Sequence, residues 1–98
     1  MNEYMICFYL PENPDEEFFD RIPSQRAMIN QLMDKQIISS YALSEDRTKL
    51  WATLSATDED EVESILRKFP LYHYMDYDIT ELAFNNLISV SLPTMSLN

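Results

Sequence analysis

The sequence predicts one small α+β domain with the ferredoxin-like element order βαββαβ, in which a four-stranded antiparallel sheet carries two helices on one face. The chain has 98 residues, which is the length of a single domain. Four short segments of strand character alternate with two amphipathic segments of helical period. Right-handed crossovers in this order place both helices on the same side of the sheet.

The first half of the chain predicts a strand and a broken helix. Every residue from Tyr4 to Leu10 is either aromatic or apolar, which is typical of a strand with both faces buried. Asn13 is the expected N-cap, and Pro14 suits the first helical position. Pro23 disfavours a continuous helix, so we expect a short helical turn, a kink and a longer helix from about residue 23 to 36.

One face of this helix is predicted to face the core, with one charged member. The residues recur at spacings of three and four, namely Phe19, Ile22, Arg26, Ile29 and Met33. A buried guanidinium is costly without a partner. Arg26 therefore either holds a substrate carboxylate in a bidentate pair, binds an internal acid, or reaches the surface along its aliphatic stem.

The second half predicts a hairpin, a helix and a last strand. Residues 37–44 and 49–56 both alternate and are joined by a polar turn. Thr57 or Asp58 caps the second helix, and Pro70 follows its end. Asp76 to Leu82 is the fourth strand.

The chain is predicted to divide at residue 85, with a domain over 1–85 and a C-terminal tail over 86–98. Residues 83–98 carry no charge and include the strand-like run from Leu87 to Leu92. A tail without a helix to pack on either lies on a neighbouring subunit or frays.

The sheet face opposite the helices has no cover from its own chain. Apolar side chains alternate onto both faces of the strands, and an apolar face of several hundred Å² is rarely left in water. A second copy is the expected cover, which gives a homodimer or higher homo-oligomer. Two sheets packed face to face form a dimeric α+β barrel.

Composition excludes several classes of partner and site. Seventeen acidic residues against seven basic give a net charge of −10, which repels the phosphates of nucleic acids and of anionic membranes. The absence of glycine excludes glycine-rich phosphate-binding loops. One cysteine and one histidine make no metal-ligand cluster, so no metal is expected. With no signal-peptide pattern and no apolar run near the roughly 20 residues of a membrane span, the cytoplasm is the expected location.

The stretch from Phe69 to Ile79 (FPLYHYMDYDI), followed by Leu82, resembles the Pro-Leu-aromatic-x-Tyr-Met-Asp run of the muconolactone Δ-isomerase family. The element order agrees over residues 1 to about 85. The resemblance implies a dimeric α+β barrel, often assembled into larger rings, and a cofactor-free proton shift on an unsaturated lactone acid. His73 stands where the classical isomerases are expected to have proline, so it inherits no role from the motif.

Six residues are candidates for a site. His73, the only histidine, is the candidate catalytic base, because an imidazole is the side chain best suited to moving protons, with an uninvolved loop histidine as the alternative. Arg26 is the candidate carboxylate anchor, and the first helix of the family also carries a basic residue there. The other candidates for substrate binding are apolar walls and hydroxyl donors, unless they are plain core or interface residues. They are Tyr9, Ser40, Tyr41 and Trp51.

These residues and the predicted fold lead to three functional hypotheses. The first is a cofactor-independent isomerase of a small unsaturated carboxylate or lactone acid. The second is a non-catalytic domain for small-molecule binding or oligomerisation. A cofactor-independent oxygenase on the same barrel is a third reading, because a fold does not fix a reaction.

Overall fold

The computed structural model describes residues 1–88 as a four-stranded sheet with helices on one face. The sheet order is β2-β3-β1-β4, and every neighbouring pair is antiparallel. This is the ferredoxin-like architecture that the sequence predicts. The strands are β1 (Asn2–Tyr9), β2 (Ile38–Leu43), β3 (Lys49–Ala56) and β4 (Asp76–Leu82). The helices are α1 (Glu16–Asp20), α2 (Ile22–Asp34) and α3 (Glu59–Leu66), and a 3₁₀ turn spans Tyr72–Tyr74. Most of the predicted tail lies outside the described residues.

The core lies between the helices and one face of the sheet. Alternate residues of the two central strands are buried there, because successive side chains of a strand point to opposite faces. On β1 these are Tyr4, Ile6 and Phe8, and on β3 they are Leu50, Ala52, Leu54 and Ala56. Ile29 of α2 and Val62 and Leu66 of α3 cover them.

The first helix begins two residues later than predicted. Asp15, and not Asn13, is its N-cap, and its side chain accepts a hydrogen bond of 2.8 Å from the Phe18 N–H. A carboxylate at this position also interacts favourably with the positive end of the helix dipole. The predicted cap of the second helix is confirmed at Asp58, which accepts from the Glu61 N–H at 2.9 Å.

The predicted inward stripe is wrong at three positions. Phe19 and Met33 are 54% and 39% exposed, and Arg26 is also exposed. Phe18 and Gln25 are buried in their place. The helix breaks at Arg21, so the phase of α1 does not continue into α2.

Gln25 can be buried because both ends of its amide have partners. The side chain donates to the Tyr41 hydroxyl at 3.3 Å and accepts from the Leu71 N–H at 3.1 Å. A guanidinium at the same depth would need an acid, and no acidic residue is among the buried ones in the described chain. The neutral amide is therefore buried and the charged Arg26 faces outward.

Two residues adopt left-handed backbone conformations without being glycine. Gln36, which follows α2, and Arg47, in the turn between β2 and β3, both have φ of 61°. At Gln36 the conformation closes the helix, because the N–H groups of Gln36 and Ile37 donate to carbonyls of the last turn of α2.

The face of the sheet opposite the core carries no helix of the described residues. Met5, Cys7 and Trp51 form its apolar centre, by alternation with the buried positions of β1 and β3. A register shift between Ile38 and Ser40 interrupts the pairing of β2 with β3. We call this surface the open face.

Candidate functional site

The structure distributes the six predicted site residues over three places. Tyr9 and Trp51 lie on the open face, together with Ser40. Arg26 and Tyr41 line a groove on the opposite side of edge strand β2. His73 is exposed in the 3₁₀ turn.

A groove between α2 and β2 brings two of the predicted substrate-binding residues together. It has a volume of about 460 Å³ and is lined by Arg26, Ile29, Asn30, Met33, Tyr41 and Leu43. We call it the Arg26 groove. Within residues 1–88, the Arg26 side chain makes no hydrogen bond or ion pair, since the one ion pair there joins Arg21 to Glu17. A free guanidinium over apolar walls is suited to binding a carboxylate.

Tyr41 can supply a proton donor to this groove. Its hydroxyl oxygen accepts the hydrogen bond from Gln25, which leaves the hydroxyl proton for another partner. Burial raises the pKa of Tyr41, although the Gln25 bond opposes the shift. The phenol is therefore neutral at physiological pH and can donate to a ligand oxygen.

On the open face, Tyr9 is already engaged. Its hydroxyl donates to the Asp78 carboxylate at 2.9 Å, and this bond is the main cause that raises the pKa of Tyr9 to about 12. Trp51 is opposite Cys7 in the pairing of β3 with β1 and is 36% exposed. This part of the sheet is an apolar surface, and its Tyr9 hydroxyl is already hydrogen-bonded to Asp78.

Ser40 belongs to a cluster of three hydroxyls. The register shift in β2 brings both Ser39 and Ser40 to the Thr53 hydroxyl, at oxygen–oxygen distances of 2.7 and 2.6 Å. Thr53 is buried, so this cluster satisfies its polar side chain. Alternation alone would place the two serines on opposite faces, and the sequence gives no sign of the shift.

A second groove lies at the end of the sheet where β1 begins and β3 ends. It has a volume of about 580 Å³ and is lined by Glu3, Met33, Gln36, Ile38, Ser39, Ser55, Asn85 and Leu87. We call it the Glu3 groove. The Ser55 hydroxyl donates to the Glu3 carboxylate across the paired strands. Sequence reasoning missed this site, because only the strand register places Glu3 opposite Ser55.

His73 lines neither groove. Its ring and that of Tyr72 form a T-shaped pair, with 5.1 Å between centroids. The preceding loop is tied to α1, because Arg21 pairs with Glu17 at 2.8 Å and donates to the Pro70 carbonyl at 3.3 Å. Tyr74 also donates to Glu17. The segment with the family-like motif is thus fixed to α1, and His73 lies on its outer side.

The described part of the chain offers neither a metal-binding cluster nor a membrane-spanning helix. Residues 1–88 contain no group of three or more His, Cys, Asp or Glu side chains placed to hold a metal ion. Over the same range, no helix combines the length and the apolar character that crossing a membrane requires.

The comparisons with known proteins point to one family. The family model for muconolactone delta-isomerase matches residues 5–85. The crystal structure of muconolactone isomerase at 3.3 Å resolution is similar to this chain with a TM-score of 0.69 at 13% identity, covering 91% of this chain and 96% of that one. The 5-chloro-2-hydroxyhydroquinone dehydrochlorinase from Burkholderia phenoliruptrix AC1100, solved with 2,5-dihydroxybenzoquinone, is similar with a TM-score of 0.56 at 17% identity, covering 83% and 95%. No curated protein matches the sequence. At these identities the two structures establish a shared fold, and the family match over most of the chain establishes membership: the chain belongs to the muconolactone delta-isomerase family.

Proposed function

We propose that this protein is a homo-oligomeric, cofactor-independent isomerase that moves a proton within a small unsaturated carboxylate or lactone acid. One observation carries the proposal: Arg26, without an acidic partner in residues 1–88, shares an apolar groove with the Tyr41 hydroxyl. Membership of the muconolactone delta-isomerase family supports the reaction class.

In this proposal each groove residue has a chemical task. Arg26 binds the substrate carboxylate through two parallel hydrogen bonds. Tyr41 donates to the carbonyl oxygen, where negative charge develops as the neighbouring carbon loses its proton. The apolar walls contributed by Ile29, Met33 and Leu43 lower the local dielectric constant beside the ligand, which strengthens both interactions.

The proton transfer itself needs a base. His73 is the proposed base because an imidazole can both remove and return a proton near neutral pH. It lies outside the Arg26 groove of its own chain, so it can take part only where assembly brings a neighbouring copy's loop to that groove.

The proposed assembly buries the open face. A second copy would cover Trp51, Cys7 and Met5 and close two sheets into a dimeric α+β barrel. The tail over residues 86–98 is proposed to extend from the domain of residues 1–85 onto a neighbouring subunit. Because Leu87 still lines the Glu3 groove of its own chain, the proposed crossing begins after Leu87. The proposed location is the cytoplasm, and neither a nucleic acid nor a membrane is a proposed partner.

The test is solvent deuterium exchange in muconolactone and in β,γ-unsaturated acids, followed by proton NMR. We expect exchange next to the carbonyl with the wild-type protein.

Arg26→Gln should lower kcat/KM by about tenfold or more, since it removes a charge-assisted pair of hydrogen bonds worth a few kcal/mol. Arg67→Gln is the matched control, because Arg67 is exposed and lines neither groove. His73→Gln should lower kcat more than it changes KM. Unchanged rates in Arg26→Gln would contradict the carboxylate site.

The alternative function is a non-catalytic small-molecule-binding or oligomerisation domain. The position of His73 favours it, because no other imidazole is available to either groove. If the acid shifts the amide resonances of Arg26 and Tyr41 without any exchange, the protein binds and does not catalyse. If neither resonance shifts, the domain serves assembly alone.

A further inference from the structure

The Glu3 groove is chemically different from the Arg26 groove, although the two share Met33 as a wall. Its charged side chain is Glu3, and no basic residue lines it. The remaining polar lining consists of two hydroxyls and two amides, contributed by Ser39, Ser55, Gln36 and Asn85. Ile38 and Leu87 complete the apolar part of the wall.

The Glu3 carboxylate has capacity for a ligand. One of its oxygens accepts from Ser55, and no cationic side chain within residues 1–88 pairs with it. An ionised carboxylate offers about four acceptor sites over its two oxygens, so one hydrogen bond leaves most of them free. Ser55 orients the carboxylate across the β1–β3 pair without neutralising it.

The electrostatic field selects the sign of that ligand. A chain of net charge −10 already repels anions, and a groove with a negative side chain and no cation repels them further. A substrate carboxylate is therefore directed to Arg26 and away from Glu3. A protonated amine, by contrast, is a compact donor that a partly enclosed carboxylate binds well.

A second polar group in the groove has no hydrogen-bond partner among the described residues. The Asn85 side-chain nitrogen is shielded from solvent and makes no hydrogen bond within residues 1–88. An unpaired buried donor is unfavourable, so a hydrogen-bond acceptor that reaches it by a small side-chain rotation is stabilising. The site thus offers an acceptor for a cation at Glu3 and a donor for an oxygen at Asn85.

We propose that the Glu3 groove is a second ligand site that binds a small organic ammonium compound, preferably one that also carries a hydroxyl or carbonyl oxygen. Glu3 accepts from the ammonium group, Ser55 holds the carboxylate in place, and the apolar wall of Ile38 and Leu87 takes the carbon skeleton. Asn85 donates to the ligand oxygen. This site does not depend on the isomerase activity proposed for the Arg26 groove.

The experiment is a titration of the ¹⁵N-labelled full chain with three probes of matched size, namely benzylamine, benzyl alcohol and benzoate. At pH 7 we expect benzylamine to shift the amide resonances of Glu3, Ser55 and Leu87. We expect it to bind there about tenfold more tightly than benzyl alcohol, which corresponds to one charge-assisted hydrogen bond. Benzoate should leave these resonances in place.

Two variants that each remove one negative charge distinguish binding in the groove from a general effect of the protein's net charge. Glu3→Gln should weaken benzylamine binding about tenfold, whereas Glu81→Gln, which removes the same charge outside both grooves, should change it less than twofold. Ser55→Ala, which keeps the charge, should weaken it about threefold. The proposal is overturned if benzylamine leaves the groove resonances unshifted, if Glu3→Gln binds as well as the wild type, or if both charge variants weaken binding equally.

Discussion

The backbone N–H of Leu71 donates to the side chain of Gln25, 46 residues earlier in the chain, at 3.1 Å. The other end of the same amide donates to Tyr41. One neutral side chain therefore joins α2, the edge strand β2 and the loop that follows α3. Because Tyr41 also lines the Arg26 groove, this connection fixes one wall of the candidate site to the core.

Replacing Gln25 by leucine should destabilise the protein although it adds apolar surface. The Leu71 N–H would remain buried without an acceptor, at a cost of about 1–3 kcal/mol. Urea denaturation measures the change in the free energy of unfolding. Gln31→Leu, at an exposed position of the same helix, is the control and should stay within about 0.5 kcal/mol. Equal stability of the two variants would contradict the role of Gln25.

Gln36→Gly should stabilise the protein by about 0.5–1 kcal/mol. Gln36 has φ of 61°, a conformation that a side chain disfavours and glycine adopts freely. Gln31→Gly, inside α2, should instead destabilise by about 1 kcal/mol, because glycine lowers helix propensity. The same denaturation experiment decides the question, and a loss of stability in Gln36→Gly would refute the left-handed cap.

Asp46 should make the β2–β3 turn sensitive to acid. Hydrogen bonds from Thr48 and Ser44 lower the pKa of Asp46 to about 2. A lowered pKa in the folded state means that the ionised form stabilises the fold. This contribution is complete above the unfolded pKa near 4 and is lost as the pH falls towards 2.

Asp46→Asn should therefore be less stable than the wild type at pH 7, and the two melting temperatures should converge as the pH approaches 2. Glu45→Gln removes an equal charge from the same turn without these hydrogen bonds and should not reproduce the effect. If the melting temperatures of wild type and Asp46→Asn differ by the same amount at every pH, the loss of stability comes from packing and not from ionisation of Asp46.

Trp51→Glu should prevent the proposed assembly. A charge at the centre of the open face would be buried without a partner if a second copy covered that face. We expect the wild-type chain, of 11.6 kDa, to sediment as a dimer or larger oligomer and Trp51→Glu to sediment as a monomer. Ser64→Glu, on the exposed side of α3, adds the same charge and should leave assembly intact. A monomeric wild type would exclude the barrel.

The strands were the most predictable part of this chain. β3 and β4 have the predicted bounds, because strand-like alternation over seven or eight residues is a strong local signal. Helix faces were less predictable. The choice between Gln25 and Arg26 as the buried residue depends on Leu71 and Tyr41, which only the tertiary structure brings near.

The candidate site was predictable only in part, because the sequence shows the residue types but not which of them the tertiary structure brings together. Arg26 and Tyr41 were both predicted as substrate-binding residues from their chemical character, and the structure places them in one groove, whereas the sequence did not indicate that they are neighbours. The Glu3–Ser55 pair depends on the register between β1 and β3, and the Ser39–Ser40 cluster depends on the irregularity in β2. No local pattern in the sequence predicts either arrangement.

The strand order β2-β3-β1-β4 also has a consequence for how the chain folds. Each neighbouring pair joins a strand from the first half of the chain to one from the second, since β1 and β2 never touch, and neither do β3 and β4. During synthesis, the first half thus has no strand partner until β3 emerges. Once β3 has emerged it can pair with both β1 and β2, and β4 completes the sheet on the free edge of β1. A cut in the turn between β2 and β3 would leave two fragments, and neither contains two strands that are neighbours in the sheet.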